Sequence, residues 1–85
     1  MNLASPLENV SESMKTSQRE KLIIEYLPLV KRIVHRIAAH LPSKVEIDDL
    51  MTSGIIGLIQ AIDRYEPARG VKLSTFASYR IRGSI

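Results

Sequence analysis

The sequence predicts an all-α fold: three helices behind a disordered N-terminal leader. Three observations carry that expectation. Apolar residues recur at three- and four-residue steps from Gln18 to Leu41, a second helical pattern runs from about Glu46 to Tyr65, and Ser74 and Thr75 open a third beyond a Pro/Gly turn. The chain has 85 residues, enough for one domain at most.

Taken in order, Met1 to Ser17 is Ser-rich and aperiodic, which predicts a disordered leader over 1–17. It has no apolar h-region and is no signal peptide. In the first helix Leu22, Tyr26, Val30, Ile33, Ile37 and Leu41 form a stripe, with Ile23, Leu27, Val34 and Ala38 alongside. Lys31, Arg32, His35 and Arg36 share the opposite face. Pro28 lacks a backbone donor and disfavours α geometry at Leu27, so a kink or break is expected there. Leu41-Pro42-Ser43-Lys44 ends the helix.

The second helix should start near Glu46 to Asp48, where carboxylates suit the positive end of the helix dipole. A step of about 100° per residue places Leu50, Met51, Gly54, Leu58, Ala61, Ile62 and Tyr65 on the core arc. Gly54 and Gly57 are poor helix formers, and their presence suggests that a neighbouring helix comes close. Asp49, Thr52, Ser53, Gln60 and Asp63 lie on the far side. Ile56 falls among them, with Ile55 and Ile59 at the border. Ile56 is therefore either covered by another segment or exposed for a partner. Glu66-Pro67-Ala68-Arg69-Gly70 reads as a turn. In the third helix, begun at a Ser74 or Thr75 cap, Ala77, Ile81 and Ile85 line one face. Phe76, Tyr79, Arg80 and Gly83 lie together on another. No capping signal follows Ile85, so this helix looks cut.

Charge and composition narrow the function. The net charge is +3, from 12 Lys+Arg against 9 Asp+Glu, but it is unevenly placed. Residues 47–63 carry only Asp48, Asp49 and Asp63, whereas residues 64–85 carry Arg64, Arg69, Lys72, Arg80 and Arg82 against Glu66 alone. Alternating sign suggests surfaces for different partners, although from charge alone solvated helix faces are the simpler account. No Cys is present, which removes disulfides and thiolate chemistry. His35 and His40 are five apart and off a common face, which predicts no metal site and no cofactor. Asp48 and Asp49 are adjacent and point apart, and Gly54-Ile55-Ile56-Gly57 lacks the Lys of a phosphate loop. No catalytic constellation is legible, and an enzyme is not expected. The apolar runs are too short to span a bilayer, so a cytoplasmic chain without membrane contact is expected.

The run Asp48-Asp49-Leu50-Met51-Thr52-Ser53-Gly54-Ile55-Ile56-Gly57-Leu58, followed by Gly70-Val71-Lys72-Leu73-Ser74-Thr75-Phe76-Ala77, resembles region 2 of bacterial RNA polymerase sigma factors of the sigma-70 family. Tyr26-Leu27-Pro28-Leu29-Val30 fits as well, so the resemblance covers residues 18–85. Ser78-Tyr79-Arg80-Ile81-Arg82-Gly83 looks most like the flagellar and sporulation subgroup. The resemblance implies a region 2 truncated at its C-terminal end. It further implies that the second helix docks on the clamp coiled coil of the polymerase's largest subunit through Asp49, Thr52, Ile55, Ile56 and Ile59. That favours the partner reading of Ile56.

The third segment matches the part that melts the promoter and holds the exposed non-template strand. Phe76 and Tyr79 would stack on bases, with both packing in the core as the competing reading. Arg69, Lys72, Arg80 and Arg82 would meet phosphates. The chain departs from housekeeping relatives at Thr52 and Ile55, where Gln and Asn are usual, and at Val71, Leu73 and Arg80, where aromatics are usual. An anti-sigma factor is a further partner that the resemblance implies. The alternative from another class is a helical protein-interaction module without DNA binding.

Overall fold

The computed structural model describes the backbone of residues 6–41 and 45–85, with side chains from Thr16 onward. The described residues form α1 (Pro6–Ala38), α2 (Ile47–Arg64), a 3-10 turn (Pro67–Arg69) and α3 (Leu73–Ser84). The all-α, three-helix expectation holds. The molecule measures 55 × 33 × 17 Å, and its long axis reflects α1, whose 33 residues span about 50 Å.

Two boundaries differ from the sequence reading. Helical backbone begins at Pro6, so residues 6–17 of the expected leader belong to α1, while Met1–Ser5 lie outside the described residues. The sequence reading passed over Leu7, Val10 and Met14, which recur at steps of three and four, a short helical repeat set among serines and charged residues. Proline in the first turn forfeits no helical bond, because that N–H has no partner there. The helix also runs unbroken through Pro28. The carbonyl of Ile24 loses its usual donor, but Ile24 and Pro28 are both exposed, so water can take that acceptor. At the other end α1 stops at Ala38 with two further turn residues, which leaves Leu41 exposed rather than on the stripe; Pro42–Lys44 lie outside the described residues.

The core lies where the three helices meet. Val30, Val34, Leu58, Ala61, Ala77 and Ile81 are fully buried and Ile33 nearly so. Ile23, Tyr26, Leu27, Ile37, Leu50, Met51, Ile62 and Ile85 are half-buried against them. The apolar arcs read from the sequence are thus the packed ones.

The expected close approach is real. A methyl group placed on Gly57 would sit 2.6 Å from Ser84 Oγ and 2.7 Å from the Arg80 carbonyl oxygen. One on Gly54 would sit 2.8 Å from Val30 Cγ1. The absence of a side chain therefore lets α3 lie against α2 at Gly57, and α1 against α2 at Gly54. The α3 start is also shifted: Lys72 stands at the cap position, its carbonyl accepting from the Phe76 N–H at 3.0 Å, and Ser74 and Thr75 lie inside the helix.

Candidate functional site

Two surfaces carry the residues singled out by sequence. The first is the outer side of α2. Asp49, Thr52 and Ile56 are exposed and Ile59 is half-buried. Their steps of three, four and three put them in one line along the helix. Ile56 keeps 50% of its surface in solvent, and no described segment covers it. The choice left open at Ile56 is settled in favour of exposure. Ile55 is half-buried and packs against the core, so it flanks this stripe. The Thr52 hydroxyl donates to the Asp48 carbonyl at 3.0 Å, within the helix, which leaves its methyl group and lone pairs outward. Asp48 and Asp49 make the N-terminal end acidic.

The second surface is the corner where α2 passes through the 3-10 turn into α3. Here Arg64, Tyr65, Glu66, Arg69, Val71 and Phe76 line a cavity of about 250 Å3. Three contacts fix its walls. The Tyr65 hydroxyl donates to the Val71 carbonyl at 2.6 Å, bridging the turn. The rings of Tyr65 and Phe76 lie tilted at 38° with centroids 6.0 Å apart, within the range of favourable aromatic pairs. Arg69 Nε donates to Glu66 Oε2 at 2.8 Å. Gly70, at φ 78°, supplies the left-handed residue that closes the turn, its N–H donating to the Pro67 carbonyl.

The sequence grouped Phe76 and Tyr79 on one face; the structure separates them. Phe76 is half-buried against the core and forms a cavity wall. Tyr79 is 76% exposed, the most exposed large hydrophobic side chain among the described residues. It lies beside a second depression of about 190 Å3 that Gln60, Arg80, Gly83 and Ser84 complete. The cations differ as well. Lys72 and Arg82 are exposed, and Arg69 is exposed but shares its charge with Glu66. Arg80 is partly buried and donates to Gln60 Oε1 at 3.1 Å, tying α3 to α2.

Sequence reasoning did not name Arg64, Tyr65 or Glu66 for this site. Tyr65 was assigned to the core arc by its phase, and a helical wheel carries no information on a cavity that forms only when the chain turns back. A further contact was equally invisible. Arg19 meets Asp63 with two hydrogen bonds, Nε to Oδ1 at 2.7 Å and a terminal nitrogen to Oδ2 at 3.0 Å, across 44 residues. Both side chains are about half exposed. The hydrogen bonding from Arg19 holds the Asp63 carboxyl below its ordinary value; desolvation opposes it, and the charges of Arg19 and Arg64 add to the lowering. No group of three or more His, Asp and Glu able to hold a metal occurs among the described residues.

With this geometry in place, comparison with known proteins decides the family. Residues 22–85 match the family model for sigma-70 region 2. The chain belongs to the sigma-70 region 2 family. It is 39% identical over all 85 residues to an RNA polymerase sigma factor FliA of Pseudomonas aeruginosa, of which it covers 34%. It is 46% identical over 66 residues to the RNA polymerase sigma-D factor of Bacillus subtilis, covering 78% of this chain and 26% of that one. Among solved structures it resembles the sigma subunit of a Sigma-28(FliA)/FlgM complex, with a TM-score of 0.75 and 42% identity over 86% of this chain and 32% of the other. The sigma region 2 chain thus spans about a third of the relatives it matches. Its fold, with α2 between α1 and α3, is that of the region 2 family. No described helix is long and apolar enough to cross a membrane.

Proposed function

We propose that this chain is the polymerase-docking and strand-holding part of a flagellar-type sigma factor. The outer stripe of α2, with Asp49, Thr52, Ile56 and Ile59, is the docking surface for the clamp coiled coil of core RNA polymerase, with Ile55 at its edge. The corner between α2 and α3 takes part in promoter recognition and melting by holding the exposed non-template strand. The protein acts by binding rather than by bond-breaking chemistry.

The observation that carries this reading is the exposure of Ile56 in line with Asp49, Thr52 and Ile59. An exposed Ile aligned with polar residues on one helix face offers apolar surface that a docked partner would bury, which supports a docking surface there. The acidic start of α2 suits a basic partner surface.

For the DNA side, the cavity is walled by two aromatic rings and two arginines, the features that hold an unstacked base and its phosphate. Stacking one base offsets the cost of opening a pair by about 1–3 kcal/mol. Phe76 serves as cavity wall and Tyr79 as an exposed platform. Lys72, Arg82 and Arg69 supply sequence-independent phosphate contacts, whose strength falls with salt. Arg80, held by Gln60, contributes through the N–H groups that this bond leaves free. A related solved structure is titled a flagellar sigma/anti-sigma complex, Sigma-28/FlgM, which supports an anti-sigma factor as a further partner here.

The test is a titration of the labelled chain with core polymerase. Ile56→Asp should weaken binding about ten-fold or more with helix content unchanged. Unaltered affinity in a folded variant would remove α2's outer face from the docking surface.

A further inference from the structure

We infer that the outer face of α1 is a second DNA contact, one that holds the phosphate backbone of double-stranded DNA. The inference rests on the reading of this chain as a promoter-binding protein and adds a surface which that reading does not use.

From Tyr26 to Val45 the sequence contains Lys31, Arg32, Arg36 and Lys44 and no Asp or Glu. On α1 the exposed positions beyond Glu25 are Pro28, Lys31, Arg32, His35 and Arg36, with Ala39 and His40 exposed just past its end. The buried positions of this stretch, Val30, Ile33 and Val34, face α2 and α3, so the cations point away from the rest of the domain. Among the described residues the ion pairs are Arg19–Asp63 and Glu66–Arg69, and neither involves Lys31, Arg32 or Arg36.

Favourable placement at the helix C-terminus accounts for His35 and Arg36 in the last turn, but that effect fades within one turn and does not reach Lys31 and Arg32. Arg32 and Arg36, four residues apart, stand about 6 Å apart along the axis in one line with Lys31 beside them, a row suited to a phosphate backbone.

The chemistry of the face selects duplex over single strand and over protein. Single-strand sites pair cations with aromatic platforms, and among the described residues no exposed Phe, Tyr or Trp stands on this face. Protein interfaces carry a buried apolar or aromatic centre, yet the exposed large apolar residues of this region, Ile24 and Leu41, lie only at its two ends. A continuous cationic strip without anchors matches backbone contact that positions DNA without reading its bases.

The experiment measures binding of the chain to a labelled duplex of unrelated sequence, and separately to a single strand, between about 50 and 200 mM salt. Replacing Lys31, Arg32 and Arg36 together by Gln should weaken duplex binding about ten-fold or more at the low-salt end. It should reduce the slope of log affinity against log salt by about 2 to 3, while single-strand affinity changes less. The three single substitutions, each expected to lower the slope by about one, give the same readout if the triple variant melts early. Unchanged duplex affinity and slope would overturn the inference. If Arg69→Gln and Lys72→Gln weaken DNA binding while the α1 variants do not, the inference fails and the proposed function stands. If the α1 variants lose affinity for core polymerase alone, the face belongs to a protein partner and the inference also fails. A chain that binds single strands but no duplex would reject it too.

Discussion

Two aromatic side chains on this small surface differ sharply in burial, and the proposed roles differ with it. Phe76 lies half-buried against the core and against Tyr65, whereas Tyr79 stands 76% in solvent. Phe76→Ala should therefore cost about 1–2 kcal/mol of stability in urea unfolding, less than a fully buried Phe loses. Tyr79→Ala should leave stability within about 0.5 kcal/mol and yet reduce capture of a non-template-strand oligonucleotide. Equal stability losses in the two variants would contradict this division.

The Arg19–Asp63 pair supplies a pH dependence whose direction is fixed. The folded-state value of Asp63 is lowered by Arg19, so the contribution is complete above the unfolded value of about 3.9 and disappears as pH falls through the lower folded value. Asp63→Asn should be less stable than the parent at about pH 7, and the gap should close on acidification toward about pH 3. A gap that stays constant with pH would show that the pair does not couple to folding.

At the scale of elements, the helices meet through glycines. Gly57 faces the Arg80 carbonyl and the Ser84 Cβ and hydroxyl, and of these only the hydroxyl could turn aside. Gly57→Ala gains about 1 kcal/mol in helix propensity but forces α3 away from α2, at a cost of about 1–3 kcal/mol. Chemical denaturation should show a net loss, larger than the effect of alanine at Gly83, which meets nothing within 4 Å. A Gly57→Ala variant as stable as the parent would mean that α3 can shift freely.

These glycines were legible in the sequence because poor helix formers on an amphipathic helix need a reason, and close packing is the commonest one. The core arcs of α1, α2 and α3 were legible for a similar reason: burial imposes a period. What stayed hidden was contact that has no period. The Arg19–Asp63 bridge spans 44 residues, and the cavity at Tyr65 and Phe76 exists only because the turn at Gly70 folds one helix end against the next start. The continuity of α1 through Pro28 was hidden too, since the cost of a lost bond depends on whether solvent can reach the freed carbonyl.

At the scale of the whole molecule, a net charge of +3 conceals a sorted surface. The acidic start of α2 and exposed Ile56 face one way, and cations gather on α3, on its preceding turn and along α1. The domain is only 17 Å across its shortest axis, and among the described residues its charged groups all lie outside the core. Affinity for DNA should fall steeply with salt, whereas docking through an apolar anchor should fall less.

The claim that two faces do two jobs meets its most direct test in one assay: capture of a labelled non-template-strand oligonucleotide by the chain bound to core polymerase. Ile56→Asp should lose the oligonucleotide signal because polymerase binding is lost. Tyr79→Ala should lose it with polymerase binding intact. If both variants lose polymerase binding together, or if neither changes either signal, the assignment of docking to α2 and strand holding to the α2–α3 corner is contradicted.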